Sequence, residues 1–194
     1  MQKRGNRAIR WTVPLLLAFF SLSILTRLFY HGEVLGLDYN LYYPDGVCYT
    51  SHAYEFSGLS ADAAWQKTIT EYQTDSPKYS SLSKSMKNGS CQSLQARIIY
   101  PLLSAPFVSY FGLKGLLVIP VLALLLSFIL ILLSLRRLGI SDFAMAVGLL
   151  AVASSSTFFR WNIANLPESL FLLWTSVSLF TLITLSKSRF SKNK

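Results

Sequence analysis

Residues 115–135 read GLLVIPVLALLLSFILILLSL, a run without one charged side chain, closed by Arg136 and Arg137. A bilayer crossing takes about 20 apolar residues, so this stretch alone sets the class of the protein. Three further runs are mostly apolar, with Arg27 and Glu168 as their only charged residues. Residues 11–30 follow Lys3, Arg4, Arg7 and Arg10, residues 143–159 stop at Arg160, and residues 166–185 are followed by Lys187, Arg189, Lys192 and Lys194. The sequence therefore predicts an all-α membrane protein of four transmembrane helices, at 11–30, 115–135, 143–159 and 166–185. A large exterior loop, 31–97, carries short helices after the first span, and an interfacial helix, 98–111, precedes the second. Composition agrees: 52% of the chain is hydrophobic, only 14% is charged, and the mean hydropathy is +0.42.

A basic start before an apolar run also fits a secretory signal peptide, but no small-x-small cleavage site closes this one. It reads as an uncleaved first span, with Arg27 placed to snorkel toward the headgroups. The net charge of +9 does not point to nucleic acid, because the basic residues sit at the edges of the apolar runs. Membrane lipid is the partner that such an arrangement implies. Lys and Arg gather before residue 11, at 136–137 and after 186, whereas the opposite short turn holds Arg160 alone. By the positive-inside rule both termini are cytoplasmic and residues 31–114 lie outside. The small size and short connections suggest a bacterial plasma membrane.

The exterior loop is a different material, holding Glu33, Asp38, Asp45, Glu55, Asp62, Glu71 and Asp75 among many Tyr and Ser residues. Residues 46–56 and 61–74 contain no helix breaker and predict two short helices, the second capped by Ser60. The Ser-, Lys- and Gly-rich stretch 75–92 predicts an irregular loop. Apolar sequence resumes at Ile98, but Pro101, Pro106 and Gly112 interrupt it, which predicts an interfacial or partly inserted helix rather than a span.

Cys48 and Cys91 both fall in this loop. An oxidising compartment would let them pair, closing a loop of roughly 40 residues worth about 3–4 kcal/mol in the chain-entropy treatment. Two free thiols are the alternative. His31 and His52 stand apart from each other, no zinc-ligand spacing occurs, and both read as ordinary interfacial or surface histidines.

The richest constellation is LDYNLYYPDGVCYTSHAYEFSG, residues 37–58, which sets Asp38 and Asp45 among five tyrosines just beyond the first span. A carboxylate in an aromatic belt suits a general base that activates an acceptor hydroxyl while a lipid-borne donor lies in the bilayer beside it. Interfacial tyrosines with solvated acids are the plainer reading of the same residues.

PDGVCYTSHAYEFSG, residues 44–58, resembles the first-loop signature of the GT-C superfamily, the membrane glycosyltransferases that use polyprenyl-phosphate sugars, mannosyltransferases among them. Asp45, Tyr49, Ala53 and Gly58 occupy the signature positions. QARIIYPLLSAPFVSYFG, residues 95–112, is similar to the family's segment before its second span, with Arg97, Tyr100 and Pro101 matching. NLPESLFLL, residues 165–173, looks like the start of a later span, with Pro167 and Glu168 at its polar step.

The resemblance implies that Asp45, or failing it Asp38, deprotonates the acceptor. It also implies that Arg97 and Arg160 hold the carrier phosphate, with Tyr49 and Glu168 beside them. Guanidinium suits bidentate phosphate contact, and Glu168 inside the end of a span is expected to face the bundle or pair with Arg160 or Arg97. Family members carry eight or more spans, so this chain matches the amino-terminal third to half of one. No cofactor is implied, and without an Asp-x-Asp step a divalent metal has no support. The alternative is a non-catalytic subunit that docks on a partner membrane protein supplying the missing helices.

Overall fold

A computed structural model describes residues 18, 21, 22, 44–75, 91, 97–155, 157, 158, 162 and 167–192. The expected first span, 11–30, falls largely outside these residues. Among the described residues the protein is all-helical, with no strand. We label the helices α1 (Pro44–Phe56), α2 (Ala61–Asp75), α3 (Ile99–Phe111), α4 (Val118–Arg137), α5 (Asp142–Ser154) and α6 (Glu168–Lys192); a 3-10 turn, Gly112–Leu117, joins α3 to α4.

Local chemistry explains the ends of α1 and α2. Pro44 opens α1 with its φ already helical, and Asp45 in the first turn complements the helix dipole. At the other end Gly58 takes φ +104°, which an L side chain resists. There the Gly58 amide donates to the Glu55 carbonyl and the Leu59 amide to the Tyr54 carbonyl, a Schellman closure. The Ala63 amide then donates to Ser60 Oγ, so Ser60 caps α2. Gly139, with φ +82°, closes α4 in the same way, and Ser141 Oγ accepts the Ala144 amide to start α5.

Two cores lie in series. The first packs Val47, Tyr49, Ala53 and Tyr54 of α1 against Ala64 and Tyr72 of α2, Tyr100 and Val108 of α3, and Leu113, Leu116 and Leu117 of the turn. Ala64, Thr68 and Tyr72, four residues apart, form the buried stripe of α2. The second core packs Leu124, Phe128 and Leu132 of α4 against Met145 and Leu149 of α5, with Leu172 of α6 alongside. Leu170, near the start of α6, reaches the first core. At the far end, Arg137 of α4 lies over the Phe180 ring and donates to Thr184 Oγ1 of α6. Helices α4 and α6 therefore run the same way, and α5 begins the return between them.

Two helical stretches, Ile99–Arg137 and Glu168–Ser186, are long and apolar enough to cross a membrane. At about 1.5 Å per residue α4 alone spans about 30 Å, the thickness of a hydrocarbon core. Its outward residues Leu122, Leu126 and Leu133, with Phe171, Trp174 and Leu182 of α6, are exposed. Hydrocarbon, not water, is the medium that suits such a surface. The stretch expected to span at 143–159 is shorter as a continuous helix: α5 ends at Ser154, because Ser155 turns extended at ψ 103°. As a continuous helix it is about 20 Å long, shorter than the two stretches above.

The join at 112–117 is tight. Gly112, at φ +59° and ψ −145°, breaks α3, and a Cβ placed on Gly115 would lie 2.3 Å from the Phe107 carbonyl oxygen. The Tyr100 hydroxyl donates to the Leu116 carbonyl at 2.8 Å, fixing the turn to the start of α3.

Tyr54 ties α2 to α1: its hydroxyl donates to Glu71 Oε1 at 2.6 Å, and Lys67 Nζ lies 4.2 Å from its ring centroid. Burial, then the Glu71 hydrogen bond, push the Tyr54 phenol far above its ordinary range. The native state thus keeps a proton that the unfolded chain loses above about pH 10. More protons bound in the native state means that stability falls as pH rises past that point. Thermal unfolding at about pH 9 and about pH 11 is expected to show this fall, and Tyr54→Phe is expected to flatten it.

Candidate functional site

One face of α1 carries the candidate site. Asp45 and Tyr49, four residues apart, share a helical face, and Arg97, just ahead of α3, reaches across to both. Arg97 Nη1 donates to the Tyr49 hydroxyl at 3.1 Å and lies 3.8 Å from Asp45 Oδ2. The Tyr49 ring meets the Tyr100 ring edge-on, with centroids 5.2 Å apart at 86°. Since Tyr100 is itself held by Leu116, the chain Leu116, Tyr100, Tyr49, Arg97 runs from the foot of the first crossing stretch to the exposed guanidinium.

Exposure divides the cluster into frame and working groups. Tyr49 and Tyr100 are buried, whereas the side chains of Asp45 and Arg97 are 43% and 53% exposed. An ion pair so open contributes about 1 kcal/mol or less to stability, so the fold does not need it. Among the described residues Arg97 spends only Nη1 on the protein, and a guanidinium has five N–H donors. The remainder can take an oxyanion. Burial holds the Tyr49 phenol above its ordinary range even though the Arg97 bond opposes it, so it stays a neutral hydroxyl. That same bond to Tyr49 holds Arg97 above its own already high range, which leaves the cation permanent.

Glu168 opens α6 from the side of the first core. It is near enough to act electrostatically on Tyr49 and Arg97, and it is exposed. The structure thus brings four expected residues, Asp45, Tyr49, Arg97 and Glu168, to one end of the protein. Asp38 and Arg160 lie outside the described residues. Cys48 and Cys91 are bonded to each other, with Cα atoms 5.5 Å apart. Among the described residues no three metal-ligating side chains converge.

Two arrangements escape sequence reasoning. Glu71, seventeen residues from Tyr54, packs its carboxylate against Gly112; only the absence of a side chain at Gly112 hints at it. His52, read as an interfacial or surface histidine, is 20% exposed and sets Nδ1 3.4 Å from Glu55 Oε2. Its three-residue spacing from Glu55 on a helix was the available signal.

The fold and cluster define an all-helical protein with two stretches of crossing length and a half-exposed acid, cation and phenol at one end. No family model matches the chain, and no curated protein or solved structure matches it.

Proposed function

We propose that the protein is a GT-C-like glycosyltransferase, or a part of one, that moves a sugar from a polyprenyl-phosphate carrier to an acceptor hydroxyl at the exterior face of a membrane. The observation that supports it is the half-exposed Asp45, Arg97 and Tyr49 cluster at the end of α4 opposite Arg136 and Arg137. In this reading both termini are cytoplasmic and four helices span, residues 11–30 and the stretch around α5 included. Arg97 holds the carrier phosphate through N–H groups not used by Tyr49. Asp45 takes the proton of the acceptor hydroxyl as its oxygen attacks the anomeric carbon. The bond from that carbon to the phosphate oxygen breaks, and the phosphate leaves with its electrons beside Arg97. Attack opposite the leaving group inverts the anomeric centre.

The test is transfer by the full-length protein in proteoliposomes supplied with labelled polyprenyl-phosphate sugars. Labelled product of inverted configuration is the expected result. Failure to transfer from a panel of carriers, by protein shown to be folded, would reject the reading.

A second reading, a non-catalytic subunit, is favoured by α5. Phe143, Val147 and Leu150 are exposed on it, and an apolar cleft of about 260 Å³ between Phe128 of α4 and Met145 of α5 stays open. A helix of a partner membrane protein would fill that cleft. Co-purification in mild detergent is expected to yield the partner under this reading, and a solitary chain would reject it.

A further inference from the structure

The side of α1 next to the Asp45 cluster holds a second arrangement that glycosyl transfer does not use. Cys48, Ser51, His52 and Glu55 of α1, with Ala61 and Trp65 of α2 and Cys91, line an open cavity of about 120 Å³. His52 Nδ1 meets the Glu55 carboxylate. Its other nitrogen, Nε2, is buried and has no hydrogen-bond partner among the described residues. A buried polar atom without a partner costs stability and calls for an explanation. Cys48, four residues before His52, is its neighbour on the helix surface. While the bridge is closed the Cys48 sulfur has no charge or proton to share.

We propose that the Cys48–Cys91 bridge is a thiol–disulfide exchange site, open through this cavity to a low-molecular-weight thiol, in which His52 gains the Cys48 sulfur as its missing partner when the bridge opens. The two sulfurs are unequal: Cys48 is fully buried, whereas Cys91 is partly exposed. The cavity has room for a thiol and the few atoms around it, not for a protein surface. The direction of attack follows.

The Nδ1 contact with Glu55 leaves Nε2 as the acceptor in neutral His52. Nε2 takes the proton of the incoming thiol. The resulting thiolate attacks Cys91 Sγ and forms a mixed disulfide, the original S–S bond breaks, and its electron pair leaves on Cys48 Sγ. The Cys48 thiolate then sits beside the His52 imidazolium. A second thiolate attacks the sulfur of the bound first thiol, forms the external disulfide and releases Cys91 as thiolate. Two external thiols are oxidised to one disulfide and the bridge gains two electrons.

Of the other described charged side chains on α1 and α2, Asp45 faces Arg97, Lys67 and Glu71 both engage Tyr54, and Asp62 is exposed. None of these replaces His52 as the partner of a Cys48 thiolate. Nothing in this chemistry depends on glycosyl transfer, so either can fail alone.

Full-length protein in glutathione redox buffers, with free thiols trapped by alkylation and counted by mass, reads both rate and equilibrium. His52→Gln is expected to slow native-state opening, and to shift the equilibrium toward the closed bridge, by roughly tenfold each. The denatured chains are expected to react alike. Equal native rates and equilibria in the wild type and His52→Gln would overturn the proposal. Titration of the reduced wild-type protein needs no variant: one of its two thiols is expected to ionise clearly below about 8.5, the ordinary thiol value. Two thiols ionising at or above that value would overturn it as well.

Discussion

Asp45→Asn is expected to lower sugar transfer by about 10²- to 10⁴-fold, the range that a positioned general base contributes, while leaving the fold intact. The amide keeps the size of the side chain and its place in the first turn of α1, but it does not accept the hydroxyl proton. What it loses structurally is a half-exposed pair with Arg97, worth about 1 kcal/mol or less, and the first core beneath does not include Asp45. Carrier binding, assigned to Arg97, is expected to survive. Initial rates with labelled carrier-linked sugar and parallel binding measurements check both halves. Turnover near the wild-type rate in Asp45→Asn would remove the assigned base while leaving the fold description untouched.

The largest structural effect is expected at Gly115. A methyl group there would lie 2.3 Å from the Phe107 carbonyl oxygen and 2.6 Å from the Val108 amide nitrogen. Both are backbone atoms of α3, which no side-chain rotation relieves. Gly115→Ala must therefore part the turn from α3, and with it the Tyr100 to Leu116 hydrogen bond that ties the two. A cost of about 3 kcal/mol is expected, at the upper end of overpacking. Gly148, on the open side of α5 with nothing within 4 Å of its Cβ position, is the control. There alanine is expected to be neutral or to help the helix slightly. Denaturation in a common detergent compares the two. Equal stabilities for Gly115→Ala and Gly148→Ala would contradict the tight joint.

Local signals made part of this architecture legible. The breaker-free runs 46–56 and 61–74 mark α1 and α2, and Ser60 marks the start of α2 by capping, which needs no distant partner; the start of α1 at Pro44 rather than at residue 46 was not legible. The apolar run 115–135 marks a crossing helix through its composition alone. The 3-10 turn at 112–117 was not legible, because Gly112 reads as an ordinary breaker until Gly115 is seen against Phe107. The short reach of α5 was hidden too. Residues 143–159 carry no charged side chain, and the polar run that opens at Ser154 is not by itself a stop signal; backbone geometry at Ser155 shows where the continuous helix ends. In the candidate site, Asp45 and Tyr49 share a face by simple helical spacing. Arg97 joins them from far along the chain, and spacing does not foretell such a contact. The Tyr54 to Glu71 bond likewise forms only once α2 has folded back on α1.

The claim on which the functional account rests is that Arg97, braced by Tyr49, is a phosphate-binding cation at the membrane surface. Binding of a polyprenyl phosphate to the full-length protein in nanodiscs tests it most directly. Arg97→Ala is expected to weaken binding at least tenfold, and Arg97→Lys, with a point charge but no fork, to recover only part of the loss. Affinity unchanged in Arg97→Ala, with the Cys48–Cys91 bridge intact, would contradict the account.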